Sequence, residues 1–113
     1  MSPLRTDLWT SAFVRRHNDL GHICVVVRRG DPIAGQILIE IDHLNGTASL
    51  FTPAPSVGRS DEDSADWVFQ TRLDKVDPGK IRDRIAQELR FDPDLWVLSL
   101  EMRGDEFGMR VMG

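Results

Sequence analysis

The chain has 113 residues, of which 41% are hydrophobic and 28% are charged, values that fit one globular domain with its own core and exclude a chain too polar to fold. Its formal net charge of −4 makes a nucleic-acid partner unexpected, because phosphate binding generally depends on a basic excess. A single cysteine, Cys24, excludes an internal disulfide and any CxxC motif, and no apolar run approaches the ~20 residues of a membrane helix, so we expect a cytoplasmic protein without a membrane partner.

The first predicted element is a helix from Thr6 to Leu20. Its apolar residues recur at helical spacing, and Gly21 tolerates the left-handed conformation in which helices often end. The residues of this predicted apolar stripe are Leu8, Trp9, Ala12, Phe13 and Leu20.

Three strands are predicted next, from His22 to Arg29, from Ile33 to Leu44 and from Thr47 to Thr52. The segments between them, Gly30-Asp31-Pro32 and Asn45-Gly46, have the residue types of tight turns. The three strands therefore form a predicted antiparallel meander.

The two turns also predict a register for this meander. A two-residue second turn would pair Ile41 with Leu50, and a three-residue first turn would pair Val25 with Ile37. This register places seven apolar side chains together on one core-facing side of the sheet, namely Ile23, Val25, Val27, Ile37, Ile39, Ile41 and Leu50.

Residues 53–66 are rich in Pro, Ser and acidic side chains and predict a mobile surface loop. A fourth strand is predicted from Trp67 to Leu73, where apolar and polar residues alternate. The acidic residues of the loop lack the glycine and the final glutamate of a calcium-binding loop, so we expect them to be a solvated surface.

A second helix is predicted to start at Asp77-Pro78, which have the residue types of an N-cap and a first helical position, and to end at Pro93. A strand follows from Leu95 to Arg103, and residues 104–113 form either an edge strand or a frayed tail. The predicted fold is a single α+β domain over residues 1–113, with two helices and a mostly antiparallel sheet of five or six strands in the order α-β-β-β-β-α-β.

Four short stretches carry a resemblance to a known family. They are Thr6-Asp7-Leu8-Trp9, Arg15-Arg16, Arg28-Arg29-Gly30-Asp31 and the segment from Arg90 to Trp96. Together they resemble a family of short bacterial proteins classed as a domain of unknown function. The resemblance implies a stand-alone bacterial protein in the cytoplasm and carries no catalytic residues with it.

The arginines are candidates for binding an anion, because guanidinium groups hold phosphate or carboxylate by paired hydrogen bonds. If they converge, these groups could hold an anionic metabolite together with Asp94, or they could contact RNA. The alternative is structural, with each arginine flanking the sheet and pairing with an acidic residue. The four arginines are Arg15, Arg16, Arg28 and Arg29.

No metal site, cofactor or catalytic residue is predicted. The register above puts His43 on the opposite sheet face from His22 and Cys24, which separates these possible metal ligands. The chain also lacks a GxSxG elbow, a P-loop and a GxGxxG motif.

The second face of the predicted sheet mixes apolar and polar residues and needs cover. Its apolar members are Cys24, Val26, Leu38 and Phe51. If both helices lie on the first face, these four residues form a protein interface. The leading hypothesis is therefore a non-enzymatic interaction module that binds a second copy of itself or an unknown protein. The alternatives are an enzyme or ligand-binding protein for an anionic metabolite, and an RNA-associated protein.

Overall fold

A computed structural model describes residues 5–55 and 67–112. Within these residues the chain forms two helices and one six-stranded sheet. The elements are α1 (Thr6–Asp19), β1 (Ile23–Arg28), β2 (Ile37–Asp42), β3 (Ala48–Pro53), β4 (Val68–Val76), α2 (Pro78–Phe91), β5 (Trp96–Glu101) and β6 (Arg110–Met112). The predicted α+β class, the mostly antiparallel sheet and the order of elements are confirmed. Most of the predicted loop, including all its acidic residues, lies at 56–66, outside the described residues.

The strand order is β1-β5-β2-β3-β4-β6, so β5 lies between β1 and β2. It runs antiparallel to β1 and parallel to β2. The predicted pairing of Val25 with Ile37 is therefore wrong: Val25 lies opposite Ser99, and Ile37 lies beside Trp96. Strand β5 is buried on both faces along most of its length. An interior position in the sheet shields its apolar side chains from water on both faces.

The connection from β1 to β2 is a folded segment that docks onto α1 instead of forming a hairpin. The Thr6 hydroxyl donates to the carbonyl of Gly35 over 2.7 Å, and the amide of Asp7 donates to the carbonyl of Pro32 over 2.9 Å. These bonds fix the start of α1 at the end of the sheet where β1 finishes.

The hairpin from β2 to β3 exists, but its turn is one residue longer than predicted. The His43 amide donates to the Thr47 carbonyl, and Leu44 and Gly46 both have positive φ angles. Ile41 therefore lies opposite Ser49, and the predicted pairing of Ile41 with Leu50 is wrong. A shift of one residue moves every side chain of β3 to the other face of the sheet.

The sheet consequently buries two separate cores. On the face covered by α1, here called the α1 face, the core consists of Phe13, Cys24, Ile37, Ile39, Ile41, Phe51, Phe69, Trp96, Leu98, Leu100 and Met102. On the face covered by α2, here called the α2 face, it consists of Leu38, Ala48, Leu50, Ile81, Leu95 and Val97. The predicted single core face is wrong, because the two helices lie on opposite sides of the sheet.

The α1 face is completed by residues 102–109, here called the crossing segment, which lead from β5 to β6 at the far edge of the sheet. Phe107 packs against Phe51 with ring centroids 5.4 Å apart. The His17 ring donates to the carbonyl of Phe107, and the Arg16 guanidinium donates to the carbonyl of Gly108. Residues near the end of α1 thus hold the crossing segment in place.

We expect Trp96→Ala to lower the free energy of unfolding by about 3–5 kcal/mol, because it empties a site in the middle of the sheet. Trp96 is fully buried, and its indole N–H donates to the carbonyl of Asp31. Asp77→Ala should cost only about 0.5–2 kcal/mol, since it removes one cap bond to the amide of Gly79. Denaturant unfolding of both variants checks this, and the reverse order of losses would contradict it.

Candidate protein-interaction surface

Strand β1 forms one edge of the sheet and carries an exposed row of apolar side chains. Cys24 and Val26 point into the core of the α1 face, so Ile23 and Val25 project from the α2 face, and the exposed Val27 follows them at an irregularity in the pairing of β1 with β5. These three side chains, here called the apolar ridge, are exposed by 60%, 49% and 60%. They stay exposed because α2 lies over β2, β3 and β4, on the other side of β5.

Carboxylates lie next to the ridge on the same face. Ile23 is opposite Glu101, which has Asp42 as its neighbour on β2. One row further along β5, Ser99 stands between Val25 and Glu40. We call Glu40, Asp42 and Glu101 the acidic patch. None of its members forms a salt bridge with any residue in the two described ranges.

The pKa of Glu40 shows that nearby groups offset only part of the cost of placing negative charge in the acidic patch. Burial raises the pKa of the Glu40 carboxyl above its ordinary value, and the charge of Asp42 raises it further. A hydrogen bond from Ser99 and the charge of Arg82 act in the opposite direction but do not cancel the rise in pKa. A half-buried carboxylate of this kind is stabilised by any cation placed beside it.

The backbone of the β1 edge is partly closed by α1. The amide of Cys24 donates to Asn18 Oδ1 over 2.9 Å, and Asn18 Nδ2 donates to the carbonyl of Cys24 over 3.0 Å. The Asn18 carboxamide thereby takes the place that a neighbouring strand would occupy. Protection of this kind prevents unwanted strand pairing. The accessible feature of β1 is therefore its row of side chains.

The interface predicted from the sequence does not form a surface. Cys24, Leu38 and Phe51 are buried, and Val26 is half-buried against the core of the α1 face. Leu38 lies on the opposite face from the other three. The ridge residues, which were predicted to face the core, are exposed instead. The four predicted interface residues are buried or half-buried, because a helix covers each face of the sheet. Burial also raises the pKa of the Cys24 thiol to about 11, so the thiol remains protonated.

The arginines do not converge. Arg28 donates to the carbonyl of Pro93 over 2.7 Å, and the Arg29 guanidinium lies 4.9 Å from the ring centre of Trp96. Asp94 is at this same end of the sheet, where its backbone carbonyl accepts from Asp31.

Arg15 and Arg16 lie near the other end, in the last turns of α1. Arg15 is exposed, whereas Arg16 bonds to the crossing segment and lies over the Phe13 ring. The four arginines thus form two pairs near opposite ends of the sheet. Asp94, the fifth predicted ligand-binding residue, lies near Arg28 and Arg29.

A polar chain of His43, Ser49 and Asp74, in which the first two residues are buried and Asp74 is exposed, was not predicted from the sequence. The Ser49 hydroxyl donates to Asp74 over 3.1 Å and accepts from the His43 ring and from the amide of Lys75. Its donor and both acceptor positions are used, so this serine stabilises the local backbone and is not arranged as a nucleophile. No sequence motif marks the chain, because the irregular pairing of β3 with β4 brings its members together.

His43 also lies on the same sheet face as Cys24, so the predicted separation of these two residues is wrong. Its ring approaches Phe107 at 6.4 Å between centroids. Even so, the described part of the chain contains no group of three His, Cys, Asp or Glu side chains placed to hold a metal ion.

The two remaining histidines are coupled to each other. His17 is buried, and its Nε2 atom donates to the carbonyl of Phe107. Its Nδ1 atom lies 3.0 Å from Nδ1 of His22 and acts as the acceptor of this pair while His17 is neutral. Burial lowers the pKa of His17, and the nearby charges of His22 and Arg16 lower it further, against the opposing effect of the Phe107 carbonyl.

Comparison with known proteins identifies the family. The family described as "Protein of unknown function (DUF1491)" matches residues 4–108, and the chain belongs to it. A crystal structure of a DUF1491 family protein from Caulobacter crescentus CB15 is 29% identical, with a TM-score of 0.78 over 97% of this chain and 98% of that chain. The solution structure of protein Atu0922 from A. tumefaciens is 32% identical, with a TM-score of 0.84 over 96% and 94%. No curated protein matches.

A second structure of a DUF1491 family protein from C. crescentus CB15, solved by NMR, is 30% identical, with a TM-score of 0.79 over the whole of both chains. The fold is thus one that experimental structures of the family share. Neither of the two helices in the described ranges is long and apolar enough to cross a membrane.

We expect Asn18→Ala to lower the free energy of unfolding by about 1–2 kcal/mol and to increase self-association, because it frees the backbone of Cys24 on the strand edge. Asp19→Ala is the matched control, since it lies in the same helical turn and leaves both Asn18 bonds intact. Denaturant unfolding and sedimentation velocity measure the two effects. Equal association of the two variants would show that Asn18 does not guard the edge.

The lowered pKa of His17 predicts a loss of stability in mild acid. Below about pH 6.5 the unfolded chain binds this proton more readily than the folded chain does, so the free energy of unfolding falls with pH by at most about 1.4 kcal/mol per unit until the folded pKa is reached. Above about pH 6.5, His17 adds little to the pH dependence of the free energy of unfolding. Denaturant unfolding between pH 7.5 and about 5 should therefore show a weaker dependence for His17→Gln than for the wild type. Parallel curves would contradict this assignment.

Proposed function

We propose that this protein is a non-enzymatic interaction module of the bacterial cytoplasm, and that it binds another protein chain through the apolar ridge of Ile23, Val25 and Val27. The observation that carries the proposal is the exposure of three large apolar side chains in a row on one strand. Contiguous apolar surface that a protein leaves open is characteristic of binding sites. Covering the exposed half of each side chain would contribute on the order of 1 kcal/mol per residue.

The state of the other polar groups supports a binding role over a catalytic one. Ser49 is fully hydrogen-bonded within its own chain, and Arg16, Arg28 and Arg29 each contact groups of their own chain. The alternatives of an anionic metabolite or RNA at these arginines gain no support from their placement, since the pairs lie apart. The bacterial origin of the named relatives supports a bacterial protein.

We expect Val25→Asp to abolish binding of the natural partner without unfolding the protein, because a charge in the ridge opposes its desolvation. Val111→Asp, at the opposite edge of the sheet, is the matched control. Tagged wild-type and variant proteins are compared by quantitative affinity capture from the source cells, with circular dichroism to confirm folding. A partner that Val25→Asp retains as well as the wild type does would rule out the ridge as the binding surface.

Self-association is the form of this function that light scattering tests directly. A dimer at micromolar concentration that Val25→Asp converts to a monomer would identify a second copy as the partner. A monomer for all three proteins would leave a different protein as the partner to be captured.

A further inference from the structure

A cavity of about 270 Å³ lies beyond the ends of β2, β4 and β5, which all finish at the same end of the sheet. Its walls come from three segments: the turn after β2 with His43 and Asn45, Lys75 near the end of β4, and residues 103–105 of the crossing segment. The cavity shares no residue with the apolar ridge. Pockets for drug-sized ligands generally exceed roughly 300 Å³, so the occupant of this cavity is a small molecule.

His43 connects the cavity to the polar chain of Ser49 and Asp74, and it is only 8% exposed. The Ser49 hydroxyl donates its single hydrogen to Asp74, so it accepts from Nε2 of His43, and the neutral ring has its lone pair on Nδ1. This Nδ1 atom has no hydrogen-bond partner in the part of the chain that the structure describes, yet it is not sealed from solvent. It is therefore an acceptor that opens onto the cavity and is held in one orientation.

Two cations line the cavity without a carboxylate partner. Lys75 and Arg103 are exposed, and neither side chain forms a salt bridge or a hydrogen bond within residues 5–55 and 67–112. Their combined charge matches that of a phosphate monoester, which carries about −1.5 to −2 at neutral pH. Guanidinium and ammonium groups both bind phosphate oxygens well.

One carboxylate, Asp105, also lines the cavity and restricts the choice of ligand. It would repel a bare anion. A ligand that also has hydroxyl groups can donate from them to Asp105 and to Nδ1 of His43, which satisfies both acceptors. The lining therefore selects a molecule that combines an anionic group with hydroxyl groups.

The backbone around the cavity is strained. Leu44, which lies between two lining residues, has a φ angle of 62°, and Lys75 has a φ angle of 52°. Residues other than glycine rarely adopt this left-handed conformation. In the described ranges these are the only two that do, and both adjoin this one cavity. Strained conformations of this kind are concentrated at functional sites such as ligand clamps.

We propose that this cavity binds the phosphate monoester of a small hydroxylated metabolite. Lys75 and Arg103 hold the phosphate, while His43 and Asp105 accept hydrogen bonds from the hydroxyl groups. Asn45 adds a further donor, because its carboxamide oxygen accepts from the Thr47 backbone and its amide nitrogen remains available. The proposal goes beyond the function of the ridge and does not rest on it.

The test is an NMR titration of the full chain with glycerol phosphate, inorganic phosphate and glycerol. Glycerol phosphate should shift the amide resonances of residues 43–45, 75 and 103–105 and the Nδ1 resonance of His43. It should bind at least about tenfold tighter than inorganic phosphate, because hydrogen bonds to a charged acceptor commonly contribute this much. Glycerol should leave these resonances unchanged, since it lacks the anionic group.

Variants of the full chain separate the two halves of the site. The double variant Lys75→Gln with Arg103→Gln should weaken binding of glycerol phosphate at least about tenfold. Arg15→Gln with Lys80→Gln removes the same charge from exposed positions outside the cavity and is the matched control. Asp105→Asn should weaken glycerol phosphate but strengthen inorganic phosphate, because it removes a charge that attracts the hydroxyl hydrogen and repels the anion.

Three results, obtained on variants that circular dichroism shows to be folded, would overturn the proposal. They are an absence of shifts at the cavity with every probe, equal affinity for glycerol phosphate and inorganic phosphate, and equal weakening by the two double variants. Tighter binding of glycerate than of glycerol phosphate would also overturn it, because the ligand would then be a carboxylate. None of these results bears on the ridge, whose residues do not line the cavity.

Discussion

The position of β5 between β1 and β2 is the constraint on which the rest of the structure depends. The loop before β5 packs against the loop after β1 so closely that a Cβ atom on Gly30 would lie 1.9 Å from the carbonyl oxygen of Asp94. Gly35 is nearly as constrained, with the same oxygen at 2.7 Å from a Cβ. The amide of Asp31 then donates to Asp94, and the indole of Trp96 donates to the carbonyl of Asp31. The short motifs around Gly30 and Asp94 therefore serve to insert a strand.

The inserted strand determines which surfaces the protein leaves open. It moves β1 to the edge of the sheet, and α2, which crosses between β4 and β5, covers the strands on the far side of β5. One side of β1 is covered by α1, while the other has no helix among the described residues. The ridge of Ile23, Val25 and Val27 is thus a consequence of topology. Isolated apolar residues on a surface are ordinary, whereas a row of exposed apolar residues along one strand is not.

The sequence predicted the helices and strands well but the order, register and faces of the strands poorly, for a physical reason. Caps, turns and periodicity are local, so both helices and the five longer strands were placed to within a few residues. The faces of the sheet were not predicted correctly, because β1 has an apolar residue at each position from Ile23 to Val27. Its sequence pattern therefore does not indicate which side chains face the core. Leu44 adds to this difficulty, because leucine rarely adopts the positive φ that it has here, so Asn45-Gly46 predicted a turn one residue shorter than the one observed. The candidate surface was missed as a direct result.

The backbone of β1 is partly hydrogen-bonded to α1, whereas the side chains of its apolar ridge are exposed. This difference limits how β1 can bind a partner. Asn18 satisfies the outward amide and carbonyl of Cys24, which disfavours recognition by strand addition, a mode whose affinity comes from main-chain hydrogen bonds. The side chains of the ridge remain available, and recognition through them depends on the shape and charge of the partner. An apolar row alone would attract many partners. The adjoining carboxylates make the surface selective, because a partner that lacks cations would bury Glu40 further with only Ser99 and Arg82 to offset the cost.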